Sequence, residues 1–351
     1  SSSSAVSQSL SLSMPIAQSS VPPQPTPDPC SNYLQEDDLT KECKSLISSL
    51  PKEQGWIFSY VYLYQGFWHP SKHLQGMLPC QNHFIARDTD LILSTTPKSG
   101  TTWLKALLYA LLNRASKSLV GLDHPLLRSN PHDLVPFLEL TLYAGRQVPD
   151  LTTWPSPRVF STHMPFGCLP RSVTETGCKI VYLCRDPKDT FISLWHYANK
   201  VRPQHKGNIP LEEAADKFCR GVSPCGPFWD HVLEYWKCSL ENPNKIFFLK
   251  YEDLKENPIL HLKRLAEFCG CPFSKEEQNQ GVAEEILKLC SFDNLSNLKV
   301  NKNGRLSSGE ENRSFFRKGE IGDWINYLSP QMTEKIDKIT QEKFSQWGLI
   351  F

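Results

Sequence analysis

The chain has 351 residues, of which 40% are hydrophobic and 21% charged, and this ordinary globular composition excludes disorder along its whole length. Lys and Arg number 38 against 37 for Asp and Glu, so the net charge of +1 predicts neither nucleic acid nor a membrane as a partner. No apolar run approaches the roughly 18 to 20 residues of a spanning helix. We expect a soluble protein that binds any anion through local groups.

The amino-terminal segment has a different composition from the rest. Its first forty residues contain no Lys or Arg and are rich in Ser, Pro and Gln. Such a segment cannot bury enough apolar surface to fold alone, and it has neither the basic start of a secretory signal nor the arginines of a transit peptide. An amphipathic pattern follows at 39–50. We predict a disordered tail at 1–44 and one domain at 45–351.

The 12 cysteines show no metal-binding spacing. They lie between Cys30 and Cys290 without a Cys-x-x-Cys pair, and the two nearest, Cys269 and Cys271, do not fit a zinc knuckle. Several lie in apolar runs, where a reduced thiol behaves as a small hydrophobe. We therefore expect no metal site and a reducing, cytoplasmic location.

Strand and helix signals alternate from residue 90 onward. Short apolar runs predict strands at 90–95, 159–162, 179–184 and 245–250. Helical periodicity predicts helices at 101–114, 188–199, 228–240, 259–269 and 275–289. Unbroken apolar strands between helices are typical of a parallel sheet covered on both faces, so we predict a single α/β domain of that kind. Ligands of such sheets bind at the carboxyl ends of the strands.

The first of these strand ends carries a candidate phosphate loop. Residues 95–103 read Thr-Thr-Pro-Lys-Ser-Gly-Thr-Thr-Trp and join the first strand to its helix. Gly100 allows close approach of the backbone, Ser99, Thr101 and Thr102 supply hydroxyls, Lys98 supplies a charge, and the helix N-terminus favours an anion. The order Lys-Ser-Gly lacks the spacing of a nucleotide-kinase loop. A hydroxyl-capped turn without ligand is the alternative reading.

Residues 97–103 resemble the 5′-phosphosulfate-binding loop of cytosolic sulfotransferases, which use 3′-phosphoadenosine 5′-phosphosulfate (PAPS) as the sulfuryl donor and release 3′-phosphoadenosine 5′-phosphate (PAP). The remaining motifs of that family follow in order over roughly 56–344. The resemblance implies a P-loop-like strand-loop-helix, PAPS as co-substrate and no metal.

Two further segments resemble the family's 3′-phosphate site. Arg185 ends the third predicted strand and Ser193 follows on the next helix, where an arginine fork and a hydroxyl can close on one phosphate. Arg317, Lys318 and Gly319 follow a polar segment, 301–313, that is typical of a mobile loop. The resemblance implies that these residues hold the 3′-phosphate and that the loop closes over the donor.

An adenine requires a flat apolar clamp, and three aromatic residues occupy matching positions. They are Trp103, Tyr251 and Phe292, the last preceded by Ser291. Each of these aromatic side chains alone is as readily explained by core packing.

His163 is the predicted catalytic base. It ends the second strand in Ser-Thr-His-Met-Pro, an element similar to the family's Thr-His-x-Pro, and an imidazole suits deprotonation of an alcohol or phenol. The resemblance implies in-line sulfuryl transfer in which Lys98 assists the leaving group. Animal members often carry Lys two residues before this His, whereas this chain has Ser161, which places more weight on Lys98.

The acceptor is a small hydroxylated metabolite if the resemblance holds. The segments 62–68, 130–137 and 148–151 are most similar to plant enzymes, with hydroxyjasmonate as the first candidate acceptor and flavonol, brassinosteroid or desulfoglucosinolate as alternatives. Candidate pocket residues are Tyr62, Tyr64, Phe67, Trp68, Phe137 and Tyr143. The animal dimer motif is poorly matched at 325–334, so we expect a monomer. A P-loop kinase and a non-catalytic nucleotide-binding protein remain alternatives.

Overall fold

The computed structural model of the protein describes residues 34–119, 121 and 123–351. Within these residues the strands, in chain order, are β1 (Lys52–Gln54), β2 (Tyr60–Tyr64), β3 (Phe67–Pro70), β4 (Leu91–Thr95), β5 (Val159–Thr162), β6 (Lys179–Cys184) and β7 (Ile246–Lys250).

The α-helices lie before, between and after these strands. They are α1 (Lys41–Ser49), α2 (Ser71–His83), α3 (Thr101–Asn113), α4 (Pro131–Leu134), α5 (Arg171–Glu175), α6 (Pro187–Val201), α7 (Leu211–Cys219), α8 (Phe228–Glu241), α9 (Tyr251–Glu256), α10 (Pro258–Phe268), α11 (Lys275–Asn279), α12 (Val282–Leu289), α13 (Phe292–Asn297), α14 (Lys299–Asn303) and α15 (Pro330–Phe344). Short 3₁₀ or π turns lie at Pro125–Leu127, Leu138–Leu142, Phe166–Cys168, Gln204–Lys206, Asn312–Phe315, Asp323–Asn326 and Ser345–Trp347.

Four parallel strands form the central sheet in the order β5-β4-β6-β7. Successive residues of β6 face opposite layers: Ile180 and Tyr182 pack into one buried cluster, and Val181 and Leu183 into a second that contains the apolar face of α3. Because both faces are covered, the strands read as continuous apolar runs. The predicted single α/β domain with helices on both faces is confirmed, and the four predicted strands agree with the structure to within one residue.

Two segments differ from the sequence prediction. The helix predicted at 275–289 is interrupted at Gly281, whose φ of +69° is in the left-handed region, so α11 and α12 are separate helices. The segment 301–313, predicted as a loop, begins inside α14. Its Asn301 is fully buried and accepts a hydrogen bond from Asn130 at 2.9 Å, and Asn312 donates to the carbonyl oxygen of Val300 at 2.9 Å. Both ends of that segment are therefore attached to the domain.

A small antiparallel sheet, β1-β2-β3, precedes the central sheet and was not predicted. β1 (Lys-Glu-Gln) is polar and exposed, and in β2 (Tyr-Val-Tyr-Leu-Tyr), although the strand is apolar throughout, only Val61 is buried. Between β1 and β2, Trp56 is buried and donates from its indole nitrogen to the carbonyl oxygen of Val222 at 2.8 Å. This contact attaches the sheet to the helical layer.

The predicted domain boundary at residue 45 falls inside α1. Thr40 caps this helix by accepting a hydrogen bond from the backbone of Cys43, which is completely buried. The prediction of disorder at 1–33 lies outside the described residues, as does Cys30. Each of the described cysteines is a free thiol.

No helix among the described residues is long and apolar enough to cross a membrane.

Candidate active site

One large cavity of about 1130 Å³ opens at the carboxyl edge of the central sheet. Every catalytic and donor-binding residue predicted from sequence lines it except Ser99; those that do are Lys98, Gly100, Thr101, Thr102, Trp103, His163, Arg185, Ser193, Tyr251, Ser291, Phe292, Arg317, Lys318 and Gly319. Parallel strands deliver their carboxyl ends to one edge, which is why motifs distant in sequence meet here.

The phosphate loop presents backbone N–H groups to the cavity. Gly100 precedes α3 with φ of +106°, and no side chain caps the helix. A Cβ at this glycine would lie 2.8 Å from the ring of Tyr251 and 3.1 Å from a methyl of Leu183, so only glycine fits without displacement. The uncapped N–H groups and the helix dipole form an anion site.

The three hydroxyls predicted to contact the phosphate, those of Ser99, Thr101 and Thr102, have different surroundings. Ser99 is fully buried, is hydrogen-bonded to Thr96 and does not line the cavity, so its hydroxyl faces the protein and not the predicted phosphate position. The Thr101 hydroxyl lies 2.7 Å from that of Thr95. The Thr102 hydroxyl lies 3.0 Å from Nε2 of His132 and lines the cavity.

Lys98 lies among cations and aromatic rings. Its ammonium is 4.4 Å from the ring centre of Tyr197, and its φ of +70° is unusual for a residue with a side chain. Burial lowers the pKa of Lys98 to about 7, and the positive charges of Arg317 and Arg185 act in the same direction. A bound anion would reverse this and restore the ammonium.

Two arginines at this end retain unsatisfied donors. Arg185 donates from Nη2 to the carbonyl oxygen of Glu320 at 2.5 Å, and Arg317 is paired with Asp323. The Nε atoms of both arginines are buried and have no hydrogen-bond partner among the described residues. Buried unpaired donors on two guanidinium groups indicate a site for an anion such as a phosphate.

Two buried carboxylates hold the basic segment around Arg317 and Lys318 against the sheet. Asp189 on α6 accepts hydrogen bonds from the backbone N–H groups of Gly322 at 2.7 Å and Trp324 at 3.1 Å. Asp323 accepts from Lys318 at 2.7 Å. Although burial would raise the pKa of Asp323, its bonds to the two cations lower it strongly.

The predicted aromatic clamp is assembled in part. Trp103 and Tyr251 meet edge to face with ring centres 5.4 Å apart, and the Tyr251 hydroxyl donates to the carbonyl oxygen of Gly319 at 2.9 Å. Phe292 contacts Gly319, where an added Cβ would lie 2.7 Å from its ring. The Ser291 hydroxyl caps α13. All three rings line the cavity.

His163 has a defined tautomer. Its Nδ1 lies 2.8 Å from the carbonyl oxygen of Thr95, which can only accept, so Nδ1 carries the proton and Nε2 the lone pair. Burial lowers the pKa of His163 well below its usual value, although the bond to Thr95 opposes the shift. The imidazole is therefore neutral near pH 7 and able to accept a proton at Nε2.

The sequence analysis missed Glu139, the residue that supports this histidine. Its buried carboxylate accepts from the backbone N–H of His163 at 2.7 Å and from the Thr162 hydroxyl at 2.8 Å. Burial raises the pKa of Glu139, against the effect of these bonds. A lone acid inside the short turn at Leu138–Leu142 gave no sequence signal.

His132 and Lys105 were also missed. His132 lines the cavity between Thr102 and Lys105, whose Nζ is 2.9 Å from Nδ1 of His132. Lys105 is fully buried on α3. The sequence signal that could have identified Lys105 is its position as a charged residue within an otherwise apolar helical face. Ser161, by contrast, donates to the carbonyl oxygen of Val135 at 3.3 Å and brings no charge to the site.

The cavity has two differently lined ends. The phosphate end is formed by residues 97, 98, 100–103, 185, 193, 251, 291–292 and 317–319. The apolar end is formed by Trp56, Ile57, Phe58, Val61, Pro70, His73, Leu140, Thr141, Leu142, Trp154 and Pro224. Of the aromatic residues predicted for an acceptor pocket, only Phe137 lines the cavity; Tyr62, Tyr64, Phe67 and Tyr143 pack against the core, and Trp68 is half-buried away from it.

Geometry of this kind defines a group-transfer enzyme: one end suits a nucleotide phosphate, the other an apolar molecule, and His163 lines the same cavity. Residues 88–348 match the family model described as "Sulfotransferase domain", and the chain belongs to the sulfotransferase family. Among the described residues, no group of three or more His, Cys, Asp or Glu could hold a metal ion.

Known proteins place the chain among plant members of this family. It is 52% identical to cytosolic sulfotransferase 12 of Arabidopsis thaliana over 91% of this chain and 97% of that one, and 49% identical to cytosolic sulfotransferase 15 over 90% and 89%. A crystal structure of an Arabidopsis thaliana protein provisionally named a steroid sulphotransferase matches 91% of this chain and 98% of its own, with TM-score 0.72 and 46% identity. Mouse sulfotransferase SULT7A1 complexed with PAP matches 82% and 96%, with TM-score 0.63 and 26% identity.

Proposed function

We propose that this protein is a cytosolic enzyme that transfers the sulfuryl group of PAPS to a hydroxyl of a small plant metabolite. The observation that carries the proposal is the cavity itself, in which an anion site at a helix N-terminus and a neutral histidine with an available lone pair line one space. The PAP complex of the mouse relative supports the choice of donor.

The phosphate end fits the donor. The unpaired Nε atoms of Arg185 and Arg317 would bind the 3′-phosphate together with Ser193, Lys318 and the backbone of Gly319. The N-terminus of α3 with Thr101 and Thr102 would hold the 5′-phosphate. Trp103, Tyr251 and Phe292 would enclose the adenine.

His163 would act as the general base. As the acceptor oxygen attacks sulfur, its proton passes to Nε2 of the imidazole, while the Nδ1 bond to Thr95 and the Glu139 carboxylate hold the ring and its backbone. The new S–O bond forms as the bond from sulfur to the bridging oxygen of PAPS breaks. The electron pair of that bond stays on the 5′-phosphate of PAP.

Lys98 would neutralise the charge that develops on this bridging oxygen. With a pKa of about 7 in the free protein, the amine gains a proton readily when the anionic donor enters. Because Ser161 brings no second cation from β5, Lys98 would be the cation that contacts the reacting groups.

The acceptor follows from the resemblance and from charge. Resemblance favours hydroxyjasmonate, which carries a carboxylate at neutral pH. The charge of the lining favours a second candidate class, a neutral flavonol, brassinosteroid or desulfoglucosinolate, because no Lys or Arg lines the apolar end to bind a carboxylate. The Lys and Arg that line the cavity would all surround the donor: Lys98, Arg185, Lys255, Arg317 and Lys318. The relative named a steroid sulphotransferase supports the neutral class.

The test is transfer of radiolabelled sulfuryl from PAPS to a panel of these acceptors, including hydroxyjasmonate and its methyl ester as a matched pair. Faster transfer to the acid would show that the acceptor end binds a carboxylate, and would contradict the preference for a neutral acceptor. Faster transfer to the ester would support a neutral acceptor. Tight PAP binding without transfer to any acceptor would indicate a non-catalytic protein. Magnesium-dependent phosphoryl transfer from ATP would instead indicate a kinase.

A further inference from the structure

A fully buried lysine lies directly behind the phosphate loop. Lys105 is on α3, one turn after Thr101, with 0% of its surface exposed. Its ammonium lies 3.4 Å from the ring centre of Phe137 and 2.9 Å from Nδ1 of His132. Lysines are almost never buried completely without a specific partner. The function proposed above leaves this lysine without a role.

His132 connects this lysine to the cavity. Its ring lies between Phe137 at 5.5 Å and Phe315 at 4.4 Å, which restrict its rotation. While Nδ1 faces Lys105, Nε2 is 3.0 Å from the Thr102 hydroxyl. Lys105, His132 and Thr102 therefore form a continuous chain of hydrogen bonds from the protein interior to the phosphate end.

The protonation of Lys105 determines the direction of this chain. A charged ammonium can only donate, so Nδ1 accepts, Nε2 carries the ring proton, and that proton is donated to the Thr102 oxygen. The Thr102 hydroxyl then keeps its own proton for a group in the cavity. A neutral amine permits the opposite direction, in which Thr102 donates to Nε2 and turns its proton away from the donor.

We propose that Lys105 is a positioning residue for the donor: acting through His132, it directs the Thr102 hydroxyl proton to the 5′ group of PAPS and places a positive charge behind it. This inference rests on the proposed function. The Lys105 ammonium lies on α3 next to the ring of Phe137. Phe137 forms a parallel β-bridge with Ser161 at the edge of the sheet.

The surrounding charges are consistent with a donor-dependent ammonium. Burial lowers the pKa of Lys105 well below its usual value, whereas Glu139 and Asp133 raise it. On the cavity side, burial lowers the pKa of His132, and the positive charge of Lys105 acts in the same direction, so the His132 imidazole remains neutral. An anion bound at Thr102 adds negative charge at the far end of the chain and favours the charged amine.

Two ligands that differ only in the 5′ group test the inference. PAP carries a 5′-phosphate, and adenosine 3′-monophosphate lacks it. In Lys105→Met, which keeps a long apolar chain, calorimetry should show PAP affinity about tenfold weaker and adenosine 3′-monophosphate affinity unchanged. The KM for PAPS should rise, and the KM for the acceptor should stay the same. Lys217→Met, at a largely buried lysine paired with Glu213 outside the cavity, is the matched control and should change neither affinity.

A double-mutant cycle separates the proposed chain from general damage. Thr102→Val should weaken PAP binding, and adding Lys105→Met should weaken it little further, because both changes interrupt the same chain. Thr102→Ser should restore most of the affinity. Equal loss of both ligands in Lys105→Met, or fully additive losses in the double variant, would overturn the inference. Failure of the wild-type protein to bind PAP at all would refute the proposed function instead.

Discussion

The two ends of the cavity are formed by different kinds of residues. The phosphate end is formed by a loop, a helix N-terminus and charged side chains. Many of these residues are neighbours in sequence and form short motifs, such as residues 97–103. The apolar end collects Trp56 and Phe58 from the segment between β1 and β2, His73 from α2 and Trp154 from the segment before β5. Anion binding needs donors in a fixed geometry, whereas an apolar wall needs only shape and volume. The first requirement leaves a pattern in sequence, and the second does not.

The largest expected effect is at the point where the two ends meet. His163→Ala should lower kcat by about 10²–10⁴-fold because the acceptor hydroxyl loses its base, with PAP affinity unchanged. Steady-state kinetics and calorimetry on the same preparation measure both. His205→Ala, at an exposed histidine, is the control. Full activity of the His163 variant would remove the general-base assignment.

Lys98→Met should lower kcat by about 10²–10³-fold, since the leaving oxygen loses its compensating charge. The expected pattern is a loss with every acceptor in the panel, because the defect lies with the donor. Lys52→Met, which removes an ammonium at β1 that lies over the Tyr60 ring outside the cavity, is the control. A defect confined to one acceptor would place Lys98 in acceptor recognition instead.

Gly319→Ala should weaken PAP binding about tenfold, a moderate effect confined to the phosphate end. The position has φ of +67°, and its Cβ would lie 2.7 Å from the Phe292 ring, so the basic segment must shift. Gly207→Ala, also at positive φ but with no neighbouring atom within 4 Å, separates backbone strain from displacement of the ring. Equal affinities of the two variants would contradict this account.

Phe58→Ala should act at the apolar end alone. Removing this buried ring should raise the KM for the acceptor several-fold through lost contact area and leave PAP affinity unchanged. Phe247→Ala removes a half-buried ring outside the cavity and controls for stability. A change in PAP affinity with Phe58→Ala would show that the two ends are coupled.

The smallest expected effect is the uptake of protons when PAP binds. At pH 8 Lys98 is mostly neutral in the free protein, because its pKa is about 7, and a bound anion raises that pKa. PAP binding should therefore take up nearly one proton at pH 8 and less as the pH falls below 7, where the amine of the free protein is already mostly charged. Calorimetry in buffers of different ionisation enthalpy measures the uptake, and subtraction of the Lys98→Met value isolates this group. Equal uptake by both proteins would contradict the assignment.

Much of the sheet and most of the phosphate end could be predicted because local patterns determine them. Strands β5 and β6 have the predicted bounds, since unbroken apolar runs mark buried parallel strands. The contact of Glu139 with His163 joins two different segments, and no local pattern encodes it. The antiparallel sheet was missed although its β2-β3 hairpin is local, with Gln65 and Gly66 at positive φ in the turn. Ser99 shows a limit within a motif, because residue type alone does not reveal which hydroxyl faces inward.

The pair formed by Gly76 and Glu139 sets a lower limit on the size of a working catalytic unit. A Cβ on Gly76 would lie 1.7 Å from the carbonyl oxygen of Glu139, so α2 is in direct contact with the segment that supports His163. The family match begins only at residue 88. An expression fragment trimmed to that match would leave this segment without its covering helix. Fragment design and limited proteolysis should therefore treat α2 as part of the catalytic domain.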